Sequence, residues 1–190
     1  MTWVAYVDES MRQRRDGSGI YVLAAAMLDE AHVADVRETA RTLGQGKRRF
    51  HWRDAMAADR RKAVAKVATL DALHLVAVGV GLDNPRQERA RRQCIERLLW
   101  ELDRCGVSTV WFEARKARQN ADDLAAVAAL RARRVLRSTM RVDFALPSVE
   151  PLVWLPDVVA GAVSSARGDG DEQFVRPLRS ILTECEVTLR

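Results

Sequence analysis

Short apolar runs alternate with polar segments along the chain, and their spacing predicts strands and helices in turn. Residues 3–7 are β-branched and aromatic and end at the polar residues 8–10, which is typical of a strand. Residues 12–19 are polar, include two glycines and predict a turn, and 20–28 is a second apolar run. The two runs are close enough in sequence to form an antiparallel hairpin.

The rest of the chain alternates between helical and extended patterns. Asp29 is placed to cap a first helix, and Asn120 with Asp123 resembles a capping box for a later one. The predicted helices are 30–43, 55–70, 86–105, 121–137, one from Pro156 to near Gly168, and 172–182. The predicted strands are 74–82, 107–112, 141–146 and a short one at 186–189, while 47–52 is either a short strand or an extended loop. This order predicts an α/β fold with a mixed sheet flanked by helices.

Length and composition limit the class of protein. The chain has 190 residues, of which 48% are hydrophobic and 30% charged, so we expect one domain over residues 1–190. The longest apolar runs are far shorter than the roughly 18–20 residues of a membrane-spanning helix, so no membrane association is expected. Cys94, Cys105 and Cys185 form no CxxC pair, and the first residues show no secretion-signal pattern. Reduced thiols and a cytoplasmic location are therefore expected.

The basic residues are concentrated in two segments. The whole chain has a formal charge of +5 and a pI near 9.5, yet residues 37–66 alone hold ten basic and three acidic residues. Residues 112–137 hold seven basic and three acidic residues. Charged helix faces are usually just solvated, which is one interpretation. The other is that both segments contact the phosphates of RNA or DNA, with Arg115 a candidate in the second.

Three acidic residues stand where predicted strands end or a helix begins. Asp8 ends the first strand, Glu113 ends the strand 107–112, and Asp157 lies in the first turn of the helix at Pro156. Acids at the carboxyl ends of neighbouring strands converge in α/β sheets. Three such carboxylates repel one another unless divalent cations neutralise them, and two-metal phosphodiester hydrolysis needs such a set. Structural interpretations also exist: ordinary turn chemistry for Glu9-Ser10, a helix-dipole interaction for Asp157, and pairing of Glu113 with Arg115 or another arginine.

His51 lies inside the first basic segment. Its neighbours are Arg48, Arg49, Phe50, Trp52 and Arg53. A basic segment with aromatics can bind phosphates and stack a base, and the histidine can move protons. The alternative is a solvated loop whose aromatic side chains fill the core.

The order of these motifs resembles a known family. Asp8-Glu9-Ser10 follows the first strand, a basic run ends at His51, Glu113 follows a middle strand, and Leu155–Val163 comes late. Over residues 3–165 this order is similar to the domain-of-unknown-function 3800 family, a branch of the ribonuclease H-like superfamily. The resemblance implies a ribonuclease H-like fold in which Asp8, Glu113 and Asp157 bind Mg²⁺ or Mn²⁺ and phosphodiester bonds are cut. It gives Glu9 and His51 auxiliary catalytic roles.

The chain departs from the pattern of that family at four positions: Met11 stands for glycine, Trp154 for glutamine, Pro156 for alanine and Glu113 for aspartate. Three hypotheses follow. The first is a Mg²⁺- or Mn²⁺-dependent nuclease acting on RNA or DNA, with Arg48, Arg49 and Arg53 on the substrate phosphates. The second is a catalytically inactive module that binds nucleic acid or a protein. The third is a scaffold that forms a homo-oligomer through the amphipathic helix 86–105.

Overall fold

One mixed sheet with helices on both faces makes up the body of the protein. The computed structural model describes residues 2–13, 18–44, 49–82 and 86–189. The strands are β1 (Trp3–Gln13), β2 (Gly19–Asp29), β3 (Leu73–Leu82), β4 (Val107–Glu113), β5 (Arg141–Ala145) and β6 (Leu182–Thr188). The helices are α1 (Val33–Arg41), α2 (Ala57–Val67), α3 (Gln87–Arg104), α4 (Ala117–Ala132) and α5 (Trp154–Asp169). The strand order is β5-β4-β1-β2-β3-β6, with antiparallel β1–β2 and β2–β3 and parallel β1–β4, β4–β5 and β3–β6. The predicted α/β class is confirmed.

The pleat of β1 divides the core into two layers. Val4 and Tyr6 point to one side, here called the front face, which α1, α2 and α5 cover. Ala5 and Val7 point to the back face, which α3 and α4 cover. β2 is buried along ten of its eleven residues because α5 packs on its front and α3 on its back. Such a strand is apolar throughout, as its sequence is.

The predicted N-terminal hairpin is confirmed. β1 and β2 pair in register from Trp3 opposite Asp29 to Gln13 opposite Gly19, so β1 runs five residues beyond Asp8. Residues 14–17 of the predicted turn lie outside the described residues. Asp29 caps as expected, since its carboxylate accepts from the Ala31 N–H at 3.1 Å, although a short 3₁₀ turn precedes α1.

The C-terminal region differs from the prediction. Residues 172–181 form turns and a short 3₁₀ segment, Arg176–Leu178, instead of the helix predicted over 172–182, and Leu182 already begins β6. Pro177 explains the difference because it has no N–H to donate and its ring clashes with the preceding turn of a helix. The end of α5 agrees with the glycine signal, since Gly170 takes the left-handed conformation with φ 74° just after Asp169.

The predicted capping box at the start of α4 is wrong. The helix begins at Ala117, three residues before Asn120. The Asn120 side chain accepts instead from the backbone N–H of Arg115 at 2.9 Å. Asp123 points into the protein and pairs with Arg91, so it is a core ion-pair partner and not a cap.

Arg91 is the centre of an ion-pair network behind β1. It is only 1% exposed, and its guanidinium donates to Glu9 at 2.6 Å, to Asp123 at 2.8 and 3.0 Å and to the Tyr21 hydroxyl at 3.1 Å. Arg115 adds a second cation, 3.0 Å from Asp123. The network therefore joins β1, β2, α3 and α4 in a part of the molecule from which water is excluded.

The apolar stripe of α3 is used inside the protein. Ile95, Leu98 and Leu102 are fully buried against the back face, so this stripe is not free to form the oligomer of the third hypothesis. The cysteines of this helix region do not share an environment either, since Cys94 is buried and Cys105 exposed. Within the described residues, none of the helices combines the length and the hydropathy that crossing a bilayer requires.

Replacing Arg91 by methionine should lower the free energy of unfolding by about 3 to 5 kcal/mol, because the carboxylate of Glu9 would lose its ion-pair partner and the buried carboxylate of Asp123 would keep only Arg115. Urea unfolding of Arg91→Met measures this. The matched control is Arg133→Met, which removes an exposed ion pair with Glu96 and should cost at most about 1 kcal/mol. Equal losses in the two variants would contradict the role of the network.

His74 should make the fold acid-sensitive. It is 2% exposed, neither ring nitrogen has a hydrogen-bond partner of good geometry among the described residues, and burial lowers its pKa to about 4 despite the nearby Ala25 carbonyl. The unfolded chain binds the proton from about pH 6.5 downward and the folded chain only near pH 4, so stability falls as pH falls through this window. Between pH 7.5 and 4.5 we expect the wild type to lose about 2 to 3 kcal/mol relative to His74→Leu in urea titrations. Parallel pH profiles for the two proteins would refute it.

Candidate active site

Asp8 and Glu113 are neighbours because their strands are. β1 and β4 are parallel and adjacent, with Val7 opposite Phe112, so the next residue of each strand points to the front face at the same level. Asp157 reaches them from the first turn of α5, which packs across β1 and β2. All three carboxylates line one pocket of about 240 Å³.

Most of the other candidate residues line this pocket, here called the carboxylate pocket. They are Glu9, Arg49, His51 and Arg53. Arg115 is not among its lining residues: its guanidinium is held by Glu88 at 2.8 Å and by Asp123 at 3.0 Å. Arg48 lies outside the described residues. Asp8, Glu113 and Asp157, which the sequence predicts to converge, therefore line the same pocket.

The three carboxylates resist ionisation. The pKa of Asp8 is raised well above its usual value, first by burial and then by repulsion from Glu9, Glu113 and Asp157. Burial and repulsion from Glu9 raise the pKa of Glu113, against the opposing effects of Arg49 and of a hydrogen bond with Asp8. Burial raises the pKa of Asp157 to about 7, although a hydrogen bond from the Trp52 N–H opposes the shift. The pocket thus brings together carboxyl groups whose charged forms are disfavoured by burial and by one another.

Trp52 fixes the basic loop 49–54 to α5. Its backbone N–H donates to Asp157 Oδ2 at 2.8 Å. Its ring meets Phe174 edge to face at a centroid distance of 5.1 Å, and the Arg60 guanidinium lies 5.1 Å above it. The ring also lies directly against Gly161, where a Cβ would overlap it. A glycine one turn after Asp157 is therefore what lets the loop approach the acids.

His51 is half-buried at the rim of the carboxylate pocket. Its Nδ1 accepts from the Arg53 N–H at 3.2 Å, which leaves the proton of the neutral ring on Nε2. Burial lowers the pKa of His51, and the nearby Arg49 and Arg53 lower it further, against attraction by Asp54. The ring is therefore neutral near pH 7.

Sequence reasoning left one feature of this region open and missed another. Phe50 and Trp52 are buried, so they fill the core as the alternative interpretation had it, and do not offer rings to a base. The buried Arg91 is not among the residues that the sequence singles out. A signal for it exists, because Arg91 falls on the same helical stripe as Ile95, Leu98 and Leu102.

The donor set of the carboxylate pocket suits Mg²⁺ or Mn²⁺, which prefer carboxylate oxygens. The mutual repulsion of Asp8, Glu113 and Asp157 is what a bound divalent cation relieves. In the described residues, however, no three His, Cys, Asp or Glu side chains are arranged to hold a metal ion as they stand. The chemistry of the ligands fits the metal, and binding would have to draw the side chains together.

Comparison with solved structures identifies the fold of the protein. The chain is similar to ribonuclease H2 from Pyrococcus horikoshii OT3, with 17% identity, a TM-score of 0.53, and coverage of 94% of this chain and 76% of that one. It is also similar to the RNase HII of Archaeoglobus fulgidus, solved in complex with PCNA (13% identity, TM-score 0.54, 93% and 77% coverage). The fold is ribonuclease H-like.

A third ribonuclease H-like structure is Bst-RNase HIII in complex with Mn²⁺, with 18% identity, a TM-score of 0.51, and coverage of 94% of this chain and 62% of that one. At these identities the likeness concerns the fold alone. No protein-family model and no curated protein matches the chain. The resemblance to the domain-of-unknown-function 3800 family therefore has no support beyond the motifs that suggested it.

Gly161→Ala should displace the loop 49–54, because the new Cβ would overlap the Trp52 ring. We expect a loss of about 1 to 3 kcal/mol in the free energy of unfolding, measured with urea. The control is the double-mutant cycle with Trp52→Leu: when the ring is absent, the alanine should cost much less. Additive losses would mean that Gly161 is required for another reason.

Proposed function

We propose that the protein is a metal-dependent nuclease that hydrolyses phosphodiester bonds of RNA or DNA. The observation that carries the proposal is the meeting of Asp8, Glu113 and Asp157 in one pocket, where burial and mutual repulsion raise their pKa values. A divalent cation is the partner that such a set favours. The ribonuclease H-like fold supports the proposal, since one structural neighbour is in complex with Mn²⁺.

In this proposal Asp8, Glu113 and Asp157 hold Mg²⁺ or Mn²⁺, which would activate the attacking water and stabilise the leaving oxygen. Asp157 has one oxygen engaged by the Trp52 N–H, so it offers the other to the pocket. The Glu9 carboxylate pairs with Arg91 on the back of β1, and its charge still repels the Asp8 carboxylate across the strand. It acts on the field around the acids and is not a ligand.

The loop 49–54 would bind the substrate. Arg49 and Arg53 line the carboxylate pocket and are exposed, which suits contact with phosphates. His51 carries its proton on Nε2, so it can donate a hydrogen bond to a phosphate oxygen while Nδ1 stays on the Arg53 N–H. A proton-shuttle role would require that internal bond to break during turnover.

One observation favours a second candidate, a catalytically inactive module that binds nucleic acid or a protein. The described acidic side chains do not form a ready three-ligand set for a metal ion. Membership of the domain-of-unknown-function 3800 family is likewise a proposal, based on the order of the motifs. Metal titration and cleavage separate the two functions.

The test is cleavage of single- and double-stranded DNA, RNA and hybrid substrates with Mg²⁺, Mn²⁺ or EDTA, together with calorimetric titration of Mn²⁺. We expect metal-dependent cleavage that Asp8→Asn and Asp157→Asn reduce about a hundredfold or more, because each variant removes a ligand charge. Both variants should also weaken Mn²⁺ binding.

The control variant is Asp122→Asn, an exposed acid on α4 away from the carboxylate pocket, which should keep wild-type cleavage and metal binding. Full activity of Asp8→Asn would overturn the assignment. Salt-sensitive nucleic-acid binding without cleavage or Mn²⁺ binding would establish the inactive module instead.

A further inference from the structure

An open groove lies on the front face beside the carboxylate pocket. α5 covers β1 and β2 there, and the short 3₁₀ turn Pro151–Val153 packs on β4. The uncovered part is a groove of about 880 Å³ over β4 and β5, here called the β4–β5 groove. Its volume falls in the range of ligand sites, roughly 300–1,000 Å³.

The groove continues directly from the carboxylates. Tyr6 and Trp111 line it, and each lies two residues before a pocket acid on the same face, Asp8 and Glu113 respectively. Two residues of a strand span about 7 Å. The two cavities also meet at the end of β5, where Leu146 lines the groove and the next residue lines the carboxylate pocket.

The surface of the groove suits stacking more than ionic contact. The Trp111 ring is half-buried on its floor, and the apolar side chains of Leu146 and Val149 are 57% and 75% exposed at its rim. Its charges balance: the arginines are Arg37, Arg131 and Arg141, and the acids are Glu30, Asp143 and Glu150. Arg37 and Glu150 are not free, because the Arg37 guanidinium donates to the Glu150 carboxylate at 3.0 Å.

We propose that the β4–β5 groove binds a single-stranded stretch of nucleic acid next to the cleaved bond, with an unpaired base stacked on Trp111. This inference rests on the proposed nuclease function. A nucleic-acid strand with a phosphate at the carboxylates can leave the pocket past the basic loop 49–54 or along the groove over Tyr6 and Trp111.

Arg141 would hold a phosphate at the far end of the groove. It lies on β5 opposite Thr109, two residues before the position paired with Trp111 and on the same face. It is exposed and has no acidic partner among the described side chains. Aromatic stacking combined with an available cation is the usual way in which proteins bind single strands.

The test is fluorescence anisotropy with labelled single-stranded DNA and RNA of about 20 nucleotides, in EDTA to prevent cleavage, over a series of salt concentrations. Val149→Glu places a negative charge at the exposed rim and should weaken binding about fivefold or more. Its matched control is Leu124→Glu, an exposed apolar residue on α4 at the back, which should leave affinity within about twofold.

Trp111→Leu should weaken binding about tenfold with an unchanged salt slope, because stacking releases no counterions. Arg53→Ala should lower the magnitude of the salt slope by about 0.7, since it removes one phosphate contact with a single strand. The two variants therefore distinguish nucleic-acid binding in the groove from binding at the basic loop 49–54. Circular dichroism checks that Trp111→Leu is folded, and Val149→Glu tests the groove without touching its core.

The outcomes separate the two proposals. If the wild type binds with Arg53 dependence but Val149→Glu matches Leu124→Glu, the groove proposal is overturned and the nuclease proposal stands. If the wild type binds no nucleic acid of any class, both are overturned. A wild-type dimer that Val149→Glu converts to a monomer, with nucleic-acid binding unchanged, would assign the groove to a second copy of the chain.

Discussion

Two adjacent acids on the central strand point to opposite faces of the sheet, and the molecule is organised around that alternation. Asp8 faces the front, where two further carboxylates meet it, and Glu9 faces the back, where Arg91 binds it. The back acids have a buried cation and form a rigid network. The nearby cation for the front acids, within the part of the chain that the structure describes, is Arg49 of the loop, so a cation from solution can stabilise their charged forms further.

The carboxylates on the front face destabilise the folded state. Carboxylates that are buried together and repel each other oppose folding when ionised, as the raised pKa values of Asp8 and Asp157 record. The apolar layers on both sides of β2 offset that cost, because this strand is covered on both faces. Destabilised groups held in place by a well-packed scaffold are typical of functional sites.

The sequence predicts the parts of the site that local rules determine. Strand alternation and polar stops are local, so the positions of Asp8 and Glu113 at one edge could be inferred from β1 and β4 alone. The contact between Trp52 and Gly161 could not, because it joins residues far apart in sequence and a glycine in an apolar helix has no local explanation. The aromatic neighbours of His51 were ambiguous for the same reason, since only tertiary packing decides whether such rings face the core or a ligand.

Arg91 and Asp123 illustrate a different limit. The sequence shows that Arg91 falls on the apolar stripe of α3. A charged residue at such a position is expected to be buried only when it has a partner, and the partner, Asp123, lies on another helix. Asp123 also satisfied a capping pattern, and the buried ion pair took precedence over that local preference. Pro177 is the opposite case. It is a local signal against the helix predicted over 172–182, and the sequence alone provides it.

The path of the chain through the carboxylate pocket has a consequence for biosynthesis. Asp8 belongs to the first strand and Asp157 to the last long helix, with the basic loop docked between them through Trp52. Because these contacts are distant in sequence, we expect the pocket to close late in folding. A chain still emerging from the ribosome cannot assemble the three acids before residue 157 has been made.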